Sequence, residues 1–194
     1  MRVRWLGGLL LLASAGFAVR AHADDVTDLI TKALNAYQAH NTEAAMMALD
    51  GAANELRQQR ADVLKTFLPL PPPGWTADPS QTSAVSAAML GGGTSASRTY
   101  RNGTEKVDVQ ITTDSPMLQG MAALIDSPLA SASGVKSETV AGRRVSYTQS
   151  DNGFMTLVGQ KIIVKIDGNK DTPEPDLRTF VAAIDFAELE KFAK

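Results

Sequence analysis

The chain has 194 residues, 44% hydrophobic and 21% charged, with 15 glycines and no cysteine. That composition excludes fibrous and disordered classes, and it leaves neither disulfides nor thiolate metal sites to hold the fold. The formal charge is −2, a poor match for nucleic acid or for anionic lipid headgroups.

The N-terminus reads as a leader. Arg2 and Arg4 form a basic start, residues 5–19 ("WLGGLLLLASAGFAV") are apolar, and Ala21-His22-Ala23 gives an A-x-A cleavage pattern. A Sec-type signal peptide over residues 1–23, cut between Ala23 and Asp24, is the expectation. It places the mature protein in the periplasm, with secretion as the alternative. The rival reading is a membrane anchor, but the run is short and carries Gly7, Gly8 and Gly16. No cysteine follows the cut to carry a lipid, and no second apolar run is long enough to span a bilayer. The leader removes Arg2, Arg4 and Arg20, so the mature part has 16 bases against 21 acids, a net of −5. His40 is then the sole histidine.

Residues 24–68 are predicted as an antiparallel helical hairpin. Val26, Leu29, Ile30, Ala33, Leu34 and Tyr37 follow helical spacing, break at His40-Asn41, and resume at Ala44 through Phe67. Asn41 or Thr42 suits the N-cap of the second helix. Alanines form a small-residue seam. Met46, Met47, Met117 and Met121 read as core, with an adaptable apolar groove as the alternative. The stretch from Ala33 to Ala52 resembles one tetratricopeptide-type unit, with Ala33, Tyr37, Asn41, Ala45, Leu49 and Ala52 near the signature positions. Such units stack in arrays; a single hairpin packed on another domain is the preferred reading.

Residues 69–79, which include "PLPPPGW", form a proline-rich linker that stops the helix and stays extended. It delivers Trp75 to the next domain, and Leu70 and Trp75 are expected to pack. A proline-rich docking motif is the alternative. Residues 80–194 are predicted as an α+β domain, one antiparallel sheet with helices against one face. Residues 80–90 read as weakly helical, followed by Gly91-Gly92-Gly93. Strands are expected at 97–100 and 105–112 about an Asn102-Gly103 turn, then at 136–140, 143–149 and 154–166, the last hinged at Gly159. Helices are expected from Ser115-Pro116 to about 125, from Thr172-Pro173-Glu174 to about 183, and from Asp185.

No catalytic constellation stands out. The glycine triplet lacks the strand-before, helix-after context and the lysine of a phosphate loop, so a bend or a lip over a ligand groove is the reading. There is no serine elbow, and His40 sits at a helix turn. Asp167-Gly168-Asn169-Lys170-Asp171 departs from a calcium loop at Lys170. Glu174/Asp176 and Glu188/Glu190 read as solvated surface. Neither a metal nor a cofactor is expected.

The segments "LPLPPPGW", "AMLGGGTSASRTY" and "TDSPML" after a helical hairpin resemble a group of uncharacterised exported proteobacterial proteins. The resemblance implies location and no mechanism. A second resemblance, to the Mog1/PsbP-like fold class, rests on the Pro-Gly-Trp entry to an antiparallel sheet and implies fold alone.

The function expected is a non-enzymatic periplasmic module that binds a small ligand or an envelope protein. The candidate ligand or partner residues are Trp75, Gly91, Gly92, Gly93, Arg98, Arg101, Arg143 and Arg144, the four arginines forming a basic patch across neighbouring strands. The alternatives are an envelope assembly factor working through the hairpin, and an enzyme of unfamiliar type such as a hydrolase using acids of the strand domain, which a deep pocket with converging Asp114, Arg98 and Arg101 would favour.

Overall fold

The computed structural model describes residues 21–85, 93–115 and 135–193. Two compact units divide the chain between Ala52 and Ala53.

The first unit holds helix α1 (Ala21–Gln38) and the start of α2 (Thr42–Leu64). His40 adopts φ +59° at the break. Asn41 is the cap: its Oδ1 accepts the Ala44 N–H at 3.0 Å. The seam is alanine, as the sequence suggests; Ala33, Ala45, Ala48 and Ala52 are buried. A Cβ on Gly51 would lie 3.3 Å from Leu29 Cδ2, so the helices touch closely there. The broad apolar stripe expected of α1 is split. Leu29 and Ala33 face the seam, while Ile30, Leu34 and Tyr37 are exposed. Met46 and Met47 are exposed too, which corrects their reading as core. Two helices joined by so narrow a seam cover only one ridge each.

The second unit holds the end of α2, a 3-10 turn (Lys65–Phe67), eight strands and helices α3 (Glu174–Ala182) and α4 (Phe186–Phe192). The strands are β1 (Thr76–Ala77), β2 (Gln81–Val85), β3 (Gly93–Asn102), β4 (Glu105–Thr113), β5 (Val135–Val140), β6 (Arg143–Thr148), β7 (Gly153–Val158) and β8 (Ile162–Gly168). All pairings are antiparallel, in the order β1-β3-β4-β8-β7-β6-β5, with β2 on the same edge of β3 as β1. The fold is α+β.

Residues 81–85 are a strand, not the weak helix expected of 80–90; β2 pairs along β3 from Gln81 opposite Ser97 to Val85 opposite Gly93. Small polar residues without helical spacing accept whichever backbone partner lies alongside, and the edge of β3 supplies one. The β3–β4 turn lies one residue on from Asn102-Gly103. Asn102 pairs with Glu105, and Gly103, at φ +59°, bends the chain with Thr104. Ala141-Gly142 turns β5 into β6 with both φ positive, and Gly159 ends β7 as the sequence suggests. The helix expected from Ser115-Pro116 and the positions of Met117 and Met121 lie outside the described residues.

Alternation builds the core. Ala96 and Tyr100 of β3, Val107, Val109 and Ile111 of β4, Ile162, Val164 and Ile166 of β8, and Phe154 and Val158 of β7 face one way and are buried. Leu177, Phe180 and Val181 of α3 and Leu189 of α4 cover them. The end of α2 joins the same core through Ala61 and Leu64, both 0% exposed. Gln58 Nε2 donates to Thr82 Oγ1 at 3.1 Å, and Arg60 Nε lies 3.0 Å from Asp114 Oδ2.

Trp75 arrives in the core as expected, 5.0 Å from Phe180 in an edge-to-face contact. Leu70 does not: it is 81% exposed, and Leu68 packs in its place. The Tyr100 hydroxyl donates to Pro69 O at 2.6 Å and fixes the linker so that Leu70 faces outward. Asp185 caps α4 by accepting the Glu188 N–H at 3.0 Å. Thr172 is not a cap for α3; its hydroxyl donates to Lys106 O instead, and Pro173 occupies the cap position.

A stability measurement checks that α2 belongs partly to the sheet unit. Leu64→Ala is expected to cost about 2–5 kcal/mol in urea unfolding of the whole chain. Leu34→Ala, at an exposed position of α1, is expected to cost less than about 1 kcal/mol. Equal effects would contradict the assignment.

Candidate functional site

The described helices of the second unit lie against one face of the sheet, so the chemistry of the second face is set by the alternate residues of each strand. Those are Ser97, Thr99 and Arg101 of β3, Lys106, Asp108 and Gln110 of β4, Lys165 and Asp167 of β8, Met155 and Leu157 of β7, and Arg144 and Ser146 of β6. The face is polar at the β3 side and mixed at the β6 side. Ile163 and Ser146 are buried on it.

Two concavities open on this face. The first, of about 270 Å³, lies between the β1–β2 connection and strands β3, β4 and β8, and carries Asp78, Asp108 and Asp167. Each carboxylate already has a cation. Asp78 faces Arg101 at 3.3 Å, Asp108 faces Lys106 at 2.6 Å, and Asp167 faces Lys165 at 2.9 Å. Thr99 Oγ1 also donates to Asp108 at 2.5 Å. The site is charge-compensated. Among the described residues, no group of three or more acids or histidines is placed to hold a metal. Gly153 abuts it from β7, where a Cβ would sit 2.5 Å from Asp167 Oδ1. Gly153 is therefore demanded by packing, whereas the positive φ of the turn, +44°, falls on Asn152.

The second concavity, of about 400 Å³, lies over β5, β6 and β7 at the end marked by the Gly142 and Gly159 turns. Met155 and Leu157 give it an apolar floor, Ser137 and Ser146 give hydroxyls, and Arg144 stands at its side. Arg144 is exposed. Among the described residues its guanidinium has neither a hydrogen bond nor an ion pair.

The four candidate arginines do not form one patch. β3 and β6 are separated by β4, β8 and β7, roughly 19 Å at the usual strand spacing. Alternation also splits each pair between the faces. Arg98 lies on the core face of β3, half-buried, and its Nε has no hydrogen-bond partner. Arg101 lies on the second face, held by Asp78. Arg143 faces α4: it reaches Glu190 and Leu157 O, each at 2.5 Å, and lies over the Phe186 ring at 5.5 Å. Glu190 is thus an anchor for α4 rather than a free carboxylate. Arg144, of the four, is exposed on the second face with neither a hydrogen bond nor an ion pair among the described residues.

Trp75 is half-buried against Phe180. Gly93 opens β3 at φ +146°; Gly91 and Gly92 lie outside the described residues. Asp114 pairs with Arg60 beyond the end of β4. Arg101 sits opposite Lys106 at the other end, about 27 Å along the strand. Asp114, Arg98 and Arg101 therefore do not converge.

Sequence reasoning missed Met155, Leu157, Ser137 and Ser146. The signal was present in "FMTLV": a strand apolar at every second position on both faces has apolar residues left for the side away from the core. No protein-family model matches the chain, no curated protein matches it, and no solved structure matches it.

The Tyr100 phenol is pushed above its ordinary value, chiefly by burial, against a smaller opposing effect of Arg98. The neutral form is favoured in the folded state, so its contribution to stability is present below the unfolded tyrosine value of about 10 and is lost as pH rises through the folded value. Burial raises the Tyr147 phenol as well, so a tyrosinate absorbance titration is expected to show two late-ionising groups, one of them lost in Tyr100→Phe. An unchanged titration in the variant would contradict this.

Proposed function

We propose that the protein is an exported, non-enzymatic binding module whose second sheet face takes a small amphiphilic anion. One observation carries the reading: Arg144, which has no partner among the described residues, stands beside a concavity floored by Met155 and Leu157. A guanidinium without a partner offers two parallel N–H donors to a carboxylate, and the apolar floor takes an alkyl chain. Ser137 and Ser146 supply further hydroxyls at the rim. The leader-like residues 1–23 support export to the periplasm. Among the described residues, no helix is long and apolar enough to cross a membrane. Asp114, Arg98 and Arg101 do not share a pocket, so they add no support to the hydrolase alternative.

Calorimetric titration of octanoate into the mature chain tests the reading. Octanoate is expected to bind and octylamine not to bind. Arg144→Gln is expected to weaken octanoate about tenfold or more, the scale of one charge-assisted hydrogen-bonded contact. Arg101→Gln, which changes the arginine paired with Asp78 on the far, β3 side of the sheet, is expected to leave it unchanged. No heat with octanoate, or equal binding by Arg144→Gln, would overturn the proposal.

A further inference from the structure

We infer that Arg143 and Thr156 hold strands β6 and β7 apart, and that the opening they keep receives the carboxylate of the ligand on the main-chain N–H groups of Arg144 and Leu157. The inference rests on the binding reading above. It adds to that reading two positioning residues and two further donors.

The ladder between β6 and β7 is half made. β5 and β6 pair to their ends, from Val135 opposite Thr148 to Val140 opposite Arg143. β7 and β8 do the same, from Gly153 opposite Asp167 to Val158 opposite Ile162. Between these two hairpins, pairing covers only Ser146, Tyr147 and Thr148 against Met155, Phe154 and Gly153. Continued in register, Arg144 would lie opposite Leu157, but no pairing joins them. Neither strand frays from its own hairpin. It is the hairpins that part, at the end marked by the Gly142 and Gly159 turns.

Side chains take the place of the missing bonds. Thr156 Oγ1 donates to Arg144 O at 2.8 Å, and Arg143 Nη2 donates to Leu157 O at 2.5 Å. Each prop is the residue just before the one that a closed ladder would use. Arg143 is itself fixed, because its Nη1 reaches Glu190 of α4. In an antiparallel strand the N–H and C=O of one residue serve the same neighbour. The carbonyls of Arg144 and Leu157 face the opening, so their N–H groups face it too. A closed ladder would bond those N–H groups to those carbonyls; the props occupy the carbonyls and turn the donors toward a ligand. The larger concavity lies over this opening. Arg143 and Thr156 are among its lining residues although alternation sets both on the helix side of the sheet. The Arg144 guanidinium stands beside it. Main-chain N–H groups and a guanidinium together suit a carboxylate, which accepts on both oxygens.

Amide exchange and octanoate titration, both read in NMR spectra of the mature chain, test this. Without ligand, the Arg144 and Leu157 amides are expected to exchange about tenfold or more faster than those of Ser146 and Met155. Added octanoate is expected to shift both and to slow their exchange. Thr156→Val, which removes the hydroxyl, is expected to weaken octanoate about tenfold, and Thr156→Ser, which keeps it, to restore binding. Where Thr156→Val does not fold, Arg143→Gln tests the other prop with the same expectation. The failures are distinguishable. No binding of octanoate by the unsubstituted chain would overturn the binding reading and this inference with it. Octanoate bound with the Arg144 and Leu157 amides unmoved, or held as tightly without the props, would overturn the inference and leave the binding reading standing. Exchange at Arg144 and Leu157 as slow as at Ser146 and Met155 in the free chain would also overturn it, by showing a closed ladder.

Discussion

Phe180 packs edge-on against Trp75 and, with 4.8 Å between ring centres, against Tyr100. This three-ring contact joins parts of the second unit that are far apart in the chain: the end of the linker, the β3 edge and helix α3. With no cysteine in the chain, stability of the unit rests on apolar burial, and aromatic rings bury the most area per residue. The Tyr100 hydroxyl extends the contact to Pro69. The linker is thereby fixed at both of its packed ends, and β1 begins beside the edge strand it must join. α3 is held over β8 by the same rings, with Leu177 and Val181 filling the space beneath.

The arrangement leaves the second face to be defined by what each strand does not bury. Its charges sort by pairing. On the β3 side, Arg101, Lys106 and Lys165 each meet an aspartate, so that region presents hydrogen-bonding groups with little net field. Exposed pairs of this kind contribute little to stability, on the order of 0–1 kcal/mol each. On the β6 side, Arg143 is consumed in holding α4, while its neighbour Arg144 has no partner among the described residues. Two adjacent arginines therefore do opposite things, because alternation along β6 sends one toward the helices and the other away. The proposed anion site depends on that single step in sequence.

Much of the architecture was legible in the residues. Asn41 as a cap, the alanine seam, the strands about Gly142 and Gly159, and Trp75 as an anchor all follow from local rules of capping, spacing and turn geometry. What was not legible depended on pairing across the sheet. Residues 81–85 carry no strand pattern of their own; the edge of β3 makes them one. The four arginines look adjacent only if strands close in sequence are also close in space. In the sheet β8 returns to sit beside β4, which drives β3 and β6 apart. The exposed side of the hairpin was hidden differently. Spacing marks Ile30, Leu34 and Tyr37 as one stripe with Leu29 and Ala33, but only packing decides how much of a stripe a narrow seam can cover.

The central proposal is that the concavity over β5, β6 and β7 is a binding site in which Arg144 holds the anion. The direct measurement is native mass spectrometry of the chain recovered gently from a periplasm, beside Arg144→Gln prepared in the same way. A discrete added mass is predicted on the first and its loss from the second, both proteins being folded. The same bare mass for both, or an added mass that survives the substitution, would contradict the claim.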